Sequence, residues 1–171
     1  ELYAGTRAAL ERQTATAEIL QAISNSVADT APVFEKILDA CQRFFATEQL
    51  AIYLAGDEGL LHAAALRGDT VRAMSAALPR PLEQTITAVA IRERRAVHYP
   101  DAAAATDLPE AARRTVERVG NYSAIYAPML WEGRGIGSIG VLRQPPAPFS
   151  PQDLALLATF ADQAVIAIQN A

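Results

Sequence analysis

The chain has 171 residues, of which 51% are hydrophobic and 20% are charged, and this is the size and composition of one globular domain. Its formal net charge of -4 weighs against nucleic acid as a partner, because such binding depends on neutralising phosphates with Lys and Arg. The single cysteine excludes an intramolecular disulfide, and no apolar run is long enough to cross a membrane or to act as a secretion signal. We therefore expect a cytoplasmic piece of a longer protein, since the first residue is not Met and the last lies inside a helical pattern.

The first part of the chain predicts two helices followed by a hairpin. Apolar residues recur at three- and four-residue steps over residues 1–27, which is typical of a helix. Thr30-Ala31-Pro32 has the form of a cap and first turn, and it predicts a second helix over residues 33–46. The period then changes, so that residues 50–55 and 60–66 predict two antiparallel strands joined by a turn.

The second part predicts further helices, a second hairpin and a final helix. The expected elements are helices over 69–78, 85–94 and 109–119, and strands over 96–99, 123–131 and 135–143. Ser150 and Pro151 are typical of the cap and first residue of the last helix. That helix carries a coiled-coil-like seam at Leu154, Leu157, Ala161, Ala164 and Ile168. The order of elements predicts an α+β fold in three layers, with helices on both faces of an antiparallel sheet.

Three motifs that could carry chemistry have simpler structural explanations. The segment Gly135–Gly140 matches the dinucleotide fingerprint G-x-G-x-x-G, but prolines follow it where a phosphate-binding helix would have to start. Cys41 lies on the apolar face of a predicted helix, which favours an inert buried thiol. His62 and His98 have no second ligand at metal spacing, so we expect no metal site.

A set of motifs, taken in order, resembles the GAF domains of bacterial histidine kinases and related regulators. The motifs are Pro32-Val33-Phe34, the segment from Arg94 to Asp101, Tyr126-Ala127-Pro128-Met129-Leu130-Trp131-Glu132-Gly133, the segment from Ile136 to Leu142, and Phe149-Ser150-Pro151-Gln152-Asp153 leading into the last helix. The resemblance implies a six-stranded antiparallel sheet with terminal helices on one face. It implies a ligand cavity under the middle helices on the other face, in a GAF-like three-layer α+β fold.

The same resemblance helps to exclude some ligands. Some GAF domains attach a bilin through a cysteine and others reduce methionine sulfoxide with several, but this chain has no cysteine after Cys41, so neither is expected. The signature of cyclic-nucleotide GAF domains is incomplete, because Leu154 stands where a Glu would follow Asp153. The cofactor, if there is one, is unknown.

We therefore interpret residues 1–29 as an N-terminal signalling and dimerisation helix and residues 30–171 as a GAF sensor domain. The predicted function is non-catalytic sensing of an unidentified small molecule, relayed through the terminal helices to an output domain such as a histidine kinase or nucleotide cyclase of a two-component or similar system. The alternative is a dimerisation or spacer module without a ligand. A pocket needs a few polar groups among apolar walls, and the candidates are Tyr53, Arg67, Tyr99, Asp101 and Tyr126.

Two further expectations concern assembly and motion. Because the seam spacing implies exposed apolar stripes, we expect a homodimer through residues 10–27 and 154–168. The many alanines in residues 84–112 should leave room for a ligand. Residues 79–101, which prolines bracket, should respond to it most.

Overall fold

The computed structural model describes residues 30–170, so the helix predicted over residues 1–27 lies outside the described residues. The helices α1–α5 within this range are Ala31–Phe45, Asp69–Ser75, Ile86–Glu93, Glu110–Val119 and Pro151–Asn170. The strands β1–β6 are Gln49–Ala55, Leu60–Arg67, Arg80–Pro81, Val97–Tyr99, Ser123–Trp131 and Arg134–Arg143. Every element predicted in this range is present, and β3 is an additional short strand.

The strands form one six-stranded antiparallel sheet in the order β3-β2-β1-β6-β5-β4. The two predicted hairpins, β1–β2 and β5–β6, are joined side by side through the pairing of β1 with β6. The predicted α+β class is therefore confirmed. No helix within residues 30–170 combines the length and apolar character that crossing a bilayer requires.

Alternation along the central strands creates two separate hydrophobic cores. Ile52 and Ile125 belong to the core that α1 and α5 cover. Tyr53 and Tyr126, their neighbours in sequence, belong to the core on the opposite face, which the middle helices cover. Because successive side chains of a strand point to opposite faces, each central strand contacts both cores.

The core between the sheet and the terminal helices is built around aromatic rings. Phe45 at the end of α1 packs edge-on against Phe149, at 6.3 Å between centroids, and against Phe160 of α5, at 6.5 Å. As predicted, α5 starts with a cap: the Asp153 N–H donates to Ser150 Oγ at 3.1 Å, and the Ser150 N–H donates to the Asp153 carboxylate at 2.9 Å. This reciprocal pair fixes the entry of α5 onto the sheet.

The structure corrects the prediction that the apolar seam of α5 faces outward. Leu157, Ala161 and Ala164 are 0% exposed, and they pack in the chain's own core rather than facing outward. The same three- and four-residue spacing serves a helix packed on a sheet, because a core-facing stripe and a coiled-coil seam share that period. Ile166, which is 39% exposed, points away from this core.

The glycine-rich segment lies within β6, as the interpretation of Gly135–Gly140 as strand glycines requires. Gly137 has a φ of +156°, and a Cβ at this position would collide with the carbonyl oxygen of Tyr53 on β1. The motif therefore serves close packing between strands.

Candidate functional site

A small cavity lies between the sheet and the middle helices. Its volume is about 50 Å³. A water molecule needs roughly 10–15 Å³ by this kind of measure, so the cavity has room for about three to five waters. Its walls come from β1, β2, β5, α2, α4 and the segment 78–87, and the lining residues are Tyr53, Leu61, Met74, Ser75, Leu78, Arg80, Thr85, Ile86, Thr87, Ala111, Ala112, Thr115 and Tyr126.

Two stacked tyrosines form the sheet side of the cavity. The rings of Tyr53 on β1 and Tyr126 on β5 are nearly parallel, with an interplanar angle of 7° and 6.2 Å between centroids. Both strands pair with β6, where Gly140 lies opposite Tyr126. A Cβ on Gly140 would come within 2.9 Å of the Tyr126 ring, so the absence of a side chain there makes room for the ring.

Several hydroxyl-bearing side chains lie among the apolar walls of the cavity. The Tyr53 hydroxyl shares a hydrogen bond of 3.0 Å with Ser75 Oγ at the end of α2. Thr87 at the start of α3 shares one of 2.8 Å with Ser138 of β6. Thr115 donates to a carbonyl of its own helix, at 2.9 Å. Buried hydroxyls are costly unless they are paired, and these pairs connect the middle helices to the sheet.

The tyrosine hydroxyls of this face stay protonated at neutral pH. Burial raises the pKa of Tyr53 above its ordinary value, and burial raises the pKa of Tyr126 strongly, with Tyr53 adding to the effect. Tyr122, just before β5, is 0% exposed, and burial raises its pKa as well. Neutral phenols can donate hydrogen bonds, so this face offers donors rather than negative charge.

Two polar atoms of this region are buried without a hydrogen-bond partner. They are the hydroxyl of Tyr122 and Nε of Arg80, which lines the cavity. Arg80 also forms no ion pair within residues 30–170. An unpaired buried donor costs roughly 1–3 kcal/mol, so such atoms call for an explanation.

The structure brings together two of the five predicted site residues. Tyr53 and Tyr126 meet at the cavity. Tyr99 and Asp101 lie instead along an open groove of about 480 Å³ beside β4, whose rim is largely exposed. There the Asp101 carboxylate accepts hydrogen bonds from the Ala104 N–H at 3.2 Å and from the Asn121 side chain at 2.7 Å. Asp101 thus caps a short 3-10 turn.

Arg67 lies on the other side of the sheet, against α1. Its guanidinium pairs with Glu35 at 2.7 Å and with Asp39 at 2.6 Å, and it donates to the Gln42 side chain at 3.1 Å. These contacts fix the end of β2 to α1 and place the guanidinium far from the stacked tyrosines. Arg67 is therefore left out of the site that we propose.

Sequence reasoning missed the polar residues supplied by the middle segments. Ser75, Arg80 and Thr87 line the cavity, yet none belongs to a recognised motif. The signal that could have revealed Arg80 is the segment Pro79-Arg80-Pro81, in which one arginine stands between two prolines in the connection between two helices. Its side-chain direction follows from the pairing of β3 with β2, which the sequence does not reveal.

Side-chain contacts connect the edges of the sheet to both terminal helices. Arg143, at the end of β6, donates to the carbonyls of Phe45 and Pro148, each at 3.0 Å, and its guanidinium lies 4.1 Å from the ring centroid of Phe149. On β4, Nε2 of His98 accepts a hydrogen bond of 3.2 Å from the Phe149 N–H. The end of α1 and the start of α5 are therefore held to β6 and β4, the two strands that flank the cavity-lining strand β5.

Cys41 is 0% exposed within the core under α1, and burial raises the pKa of its thiol. It lies on the face of the sheet opposite the cavity, among apolar residues.

The chain thus combines an antiparallel sheet with α1 and α5 on one face and a small cavity under the middle helices on the other. The GAF domain family model matches residues 27–169, and the chain belongs to this family of signalling and sensing domains, which are generally regulatory. A search of curated proteins gives no match.

Solved structures share the fold at low sequence identity. A domain of a putative two-component sensor histidine kinase from Sinorhizobium meliloti is 21% identical, with a TM-score of 0.63 over 80% of this chain and 88% of that chain. The GAF domain of a phosphoenolpyruvate-protein phosphotransferase from Coxiella burnetii is 13% identical, with a TM-score of 0.75 over 94% of each chain. A free methionine-R-sulfoxide reductase from Neisseria meningitidis, solved with its substrate, is 17% identical, with a TM-score of 0.73 over 93% of this chain and 89% of that one.

Proposed function

We propose that this domain is the non-catalytic sensory module of a larger cytoplasmic bacterial signalling protein, and that it binds a small molecule in the cavity between the sheet and the middle helices. Ligand binding there would change the position of α1 and α5 and so bias an output domain, such as a histidine kinase or a nucleotide cyclase. The observation that carries the proposal is the cavity itself, which is bordered by hydroxyl-bearing side chains and by Arg80, whose Nε has no hydrogen-bond partner.

Transmission is supported by the architecture of the central strands. Tyr53 and Tyr126 contact the cavity, whereas Ile52 and Ile125 contact the core of the terminal helices. A shift of β1 or β5 that accommodates a ligand therefore alters the surface on which α1 and α5 pack. The contacts of Arg143 add a second route, because they join the end of β6 to both helices.

The present cavity is compact compared with ligand pockets, which typically span about 300–1,000 Å³. A larger ligand therefore needs the segment 79–85 to move outward, and this segment has few anchors. Its strand β3 has two residues and pairs only with β2. Signalling requires two states with different affinity for the ligand, and opening of this segment would provide them.

A thermal-shift screen of the domain against metabolites and nucleotides tests the proposal. Compounds that raise the Tm are then tested on Ala112→Leu, which fills the cavity wall, and on Ala155→Leu, which makes the same change on the exposed side of α5. The proposal expects the shift to disappear in the first variant and to persist in the second, with circular dichroism showing that both are folded. Equal shifts in both variants would place the binding site elsewhere.

The alternative is a spacer or dimerisation module without a ligand, and one observation favours it. Aromatic side chains already occupy much of this face, since Tyr53, Tyr122 and Tyr126 are each at most 4% exposed. The alanines of residues 84–112 thus leave only a small space. Under this alternative, no compound in the screen shifts the Tm, and Ala112→Leu is tolerated or stabilising.

We also propose a homodimer through the terminal helices, using residues 10–27 and the outward side of α5. Its support within the described residues is Ile166, a large apolar side chain that is 39% exposed on α5. Sedimentation velocity of the full 171-residue chain should show a dimer that Ile166→Glu dissociates. A chain that sediments as a monomer at high concentration with both helices intact would contradict this assembly.

A further inference from the structure

The cavity wall offers hydrogen-bond donors but no negatively charged acceptor. Tyr53 and Ser75 share one hydrogen bond between two hydroxyls, so one hydroxyl hydrogen of the pair is left over, together with oxygen lone pairs. The N–H at Nε of Arg80 is buried and has no acceptor. Because burial raises the pKa of Tyr53 and Tyr126, neither phenol can serve as a negatively charged acceptor at neutral pH. The Arg80 N–H therefore needs an acceptor that a ligand could bring.

The wall also carries an uncompensated positive charge. Arg80 is partly buried and has no carboxylate within ion-pair distance among residues 30–170. The thirteen lining residues include no Asp or Glu. Thr85, Ile86 and Thr87 start α3 on the same side, so the positive end of that helix adds to the potential.

Arg80 differs from the other two partly buried arginines among residues 30–170. Arg67 pairs with two carboxylates, and Arg143 donates to two backbone carbonyls. Arg80 has no ion pair among residues 30–170, and its buried Nε has no hydrogen-bond partner. A partly buried cation gains from a partner of opposite charge, so an anion from outside the chain suits this position.

We infer that the cavity accepts the carboxylate group of a small organic acid, with Arg80 as its ionic partner and the hydroxyls of Tyr53 and Ser75 as further donors. This inference rests on the proposed function and adds the chemical class of the ligand. A planar carboxylate with a short apolar substituent fits a cavity of about 50 Å³ that is bordered by Leu61 and Ile86. Arginine presents its donors in a planar fork that matches a carboxylate.

The test uses acetate and its neutral isostere acetamide as probes, with NaCl keeping the ionic strength constant. Amide chemical shifts of Tyr53, Ser75 and Tyr126 in 15N-labelled protein report on the cavity. Acetate should perturb these signals saturably, and acetamide should bind at least about tenfold more weakly, because charge-assisted hydrogen bonds are worth more than neutral ones. Arg80→Gln should weaken acetate by a similar factor, whereas the control Arg72→Gln, on an exposed arginine of α2, should leave it unchanged.

The possible results distinguish failure of the carboxylate assignment from failure of the proposed function. Equal binding of acetate and acetamide, unaffected by Arg80→Gln, would overturn the carboxylate assignment and leave the cavity as a site for neutral ligands. Tighter binding of inorganic phosphate than of acetate would also overturn it. If neither probe nor any compound of the thermal-shift screen affects the cavity signals, both the inference and the proposed function fail. The comparison of acetate with acetamide on the unaltered chain decides the matter even if Arg80→Gln does not fold.

Discussion

Replacing Gly140 with alanine should destabilise the domain by displacing the Tyr126 ring from its stack on Tyr53. A Cβ at residue 140 would lie 2.9 Å from Cε2 and 3.0 Å from Cζ of that ring, whereas ordinary contacts begin near 3.4 Å. The ring must therefore move by roughly 0.5 Å in a close-packed layer. Tyr126 is only 4% exposed and its other side faces Tyr53, so it has little freedom to do so.

The size of the effect follows from two opposing contributions. Overpacking a core costs about 1–3 kcal/mol. Replacing glycine recovers about 0.4–1 kcal/mol, because alanine has less conformational freedom in the unfolded chain. The net loss should be about 0.5–2 kcal/mol, which corresponds to a fall in Tm of roughly 2–6 °C for a chain of this size.

Urea unfolding followed by circular dichroism measures this loss, and a double-mutant cycle with Tyr126→Leu assigns its cause. Without the ring, Gly140→Ala should be neutral or slightly stabilising. The reasoning is refuted if Gly140→Ala is stabilising on its own, or if it costs the same free energy with and without the Tyr126 ring. Either result would mean that Gly140 does not position the tyrosine stack.

Two predictions concern residues outside the cavity. Cys41→Ala should leave any ligand-induced Tm shift intact and lower the free energy of unfolding in urea by about 1–2 kcal/mol, because its buried thiol only fills space in the core. Loss of the ligand response in the folded variant would contradict this prediction. The second prediction concerns His98. Burial lowers the pKa of His98 below its ordinary value of 6.5, so the unfolded chain binds the proton more readily than the folded chain. The stability that neutral His98 provides is therefore complete above pH 6.5 and is lost as the pH falls through the folded pKa. Protonation of His98 also removes the acceptor for the Phe149 N–H. Between pH 7.5 and pH 5, the free energy of unfolding of His98→Gln should therefore fall less than that of the unaltered chain. Equal losses in the two proteins would mean that His98 has no role in this pH dependence.

The order of elements was predictable because the sequence marks their ends strongly. The strand Ser123–Trp131 was predicted with the bounds that the structure shows, since β-rich residues lie between Gly120-Asn121 and the turn Glu132-Gly133. The α5 cap at Ser150 was equally clear, because its partner Asp153 stands three residues later. By contrast, β3 has two residues, one of them proline, and no periodic pattern can reveal a strand of that length.

The candidate site was only partly predictable because it depends on strand register and on which face a residue occupies. Tyr53 and Tyr126 are far apart in sequence and meet only because β1 and β5 both pair with β6. Arg67 was assigned to the cavity, but an irregularity in β2 turns it toward α1: Ile52 pairs with Ala65 and Tyr53 with Ala63, so Ala64 is left without a partner on β1. Phase along a strand decides the face, and a single irregularity reverses it.

Hydrogen exchange with and without the compound that raises the Tm most in the screen tests the central claim most directly. The account predicts that exchange slows most over residues 79–101. Residues 80 and 85–87 of this segment line the cavity, and its strands β3 and β4 pair with the sheet over only two and three residues, whereas the β5–β6 hairpin is protected in both states. Smaller changes should appear at the start of α5, where Phe149 contacts β4. Protection confined to α1 and α5, with residues 79–101 unchanged, would contradict a sensing cavity and favour a module whose role is dimerisation.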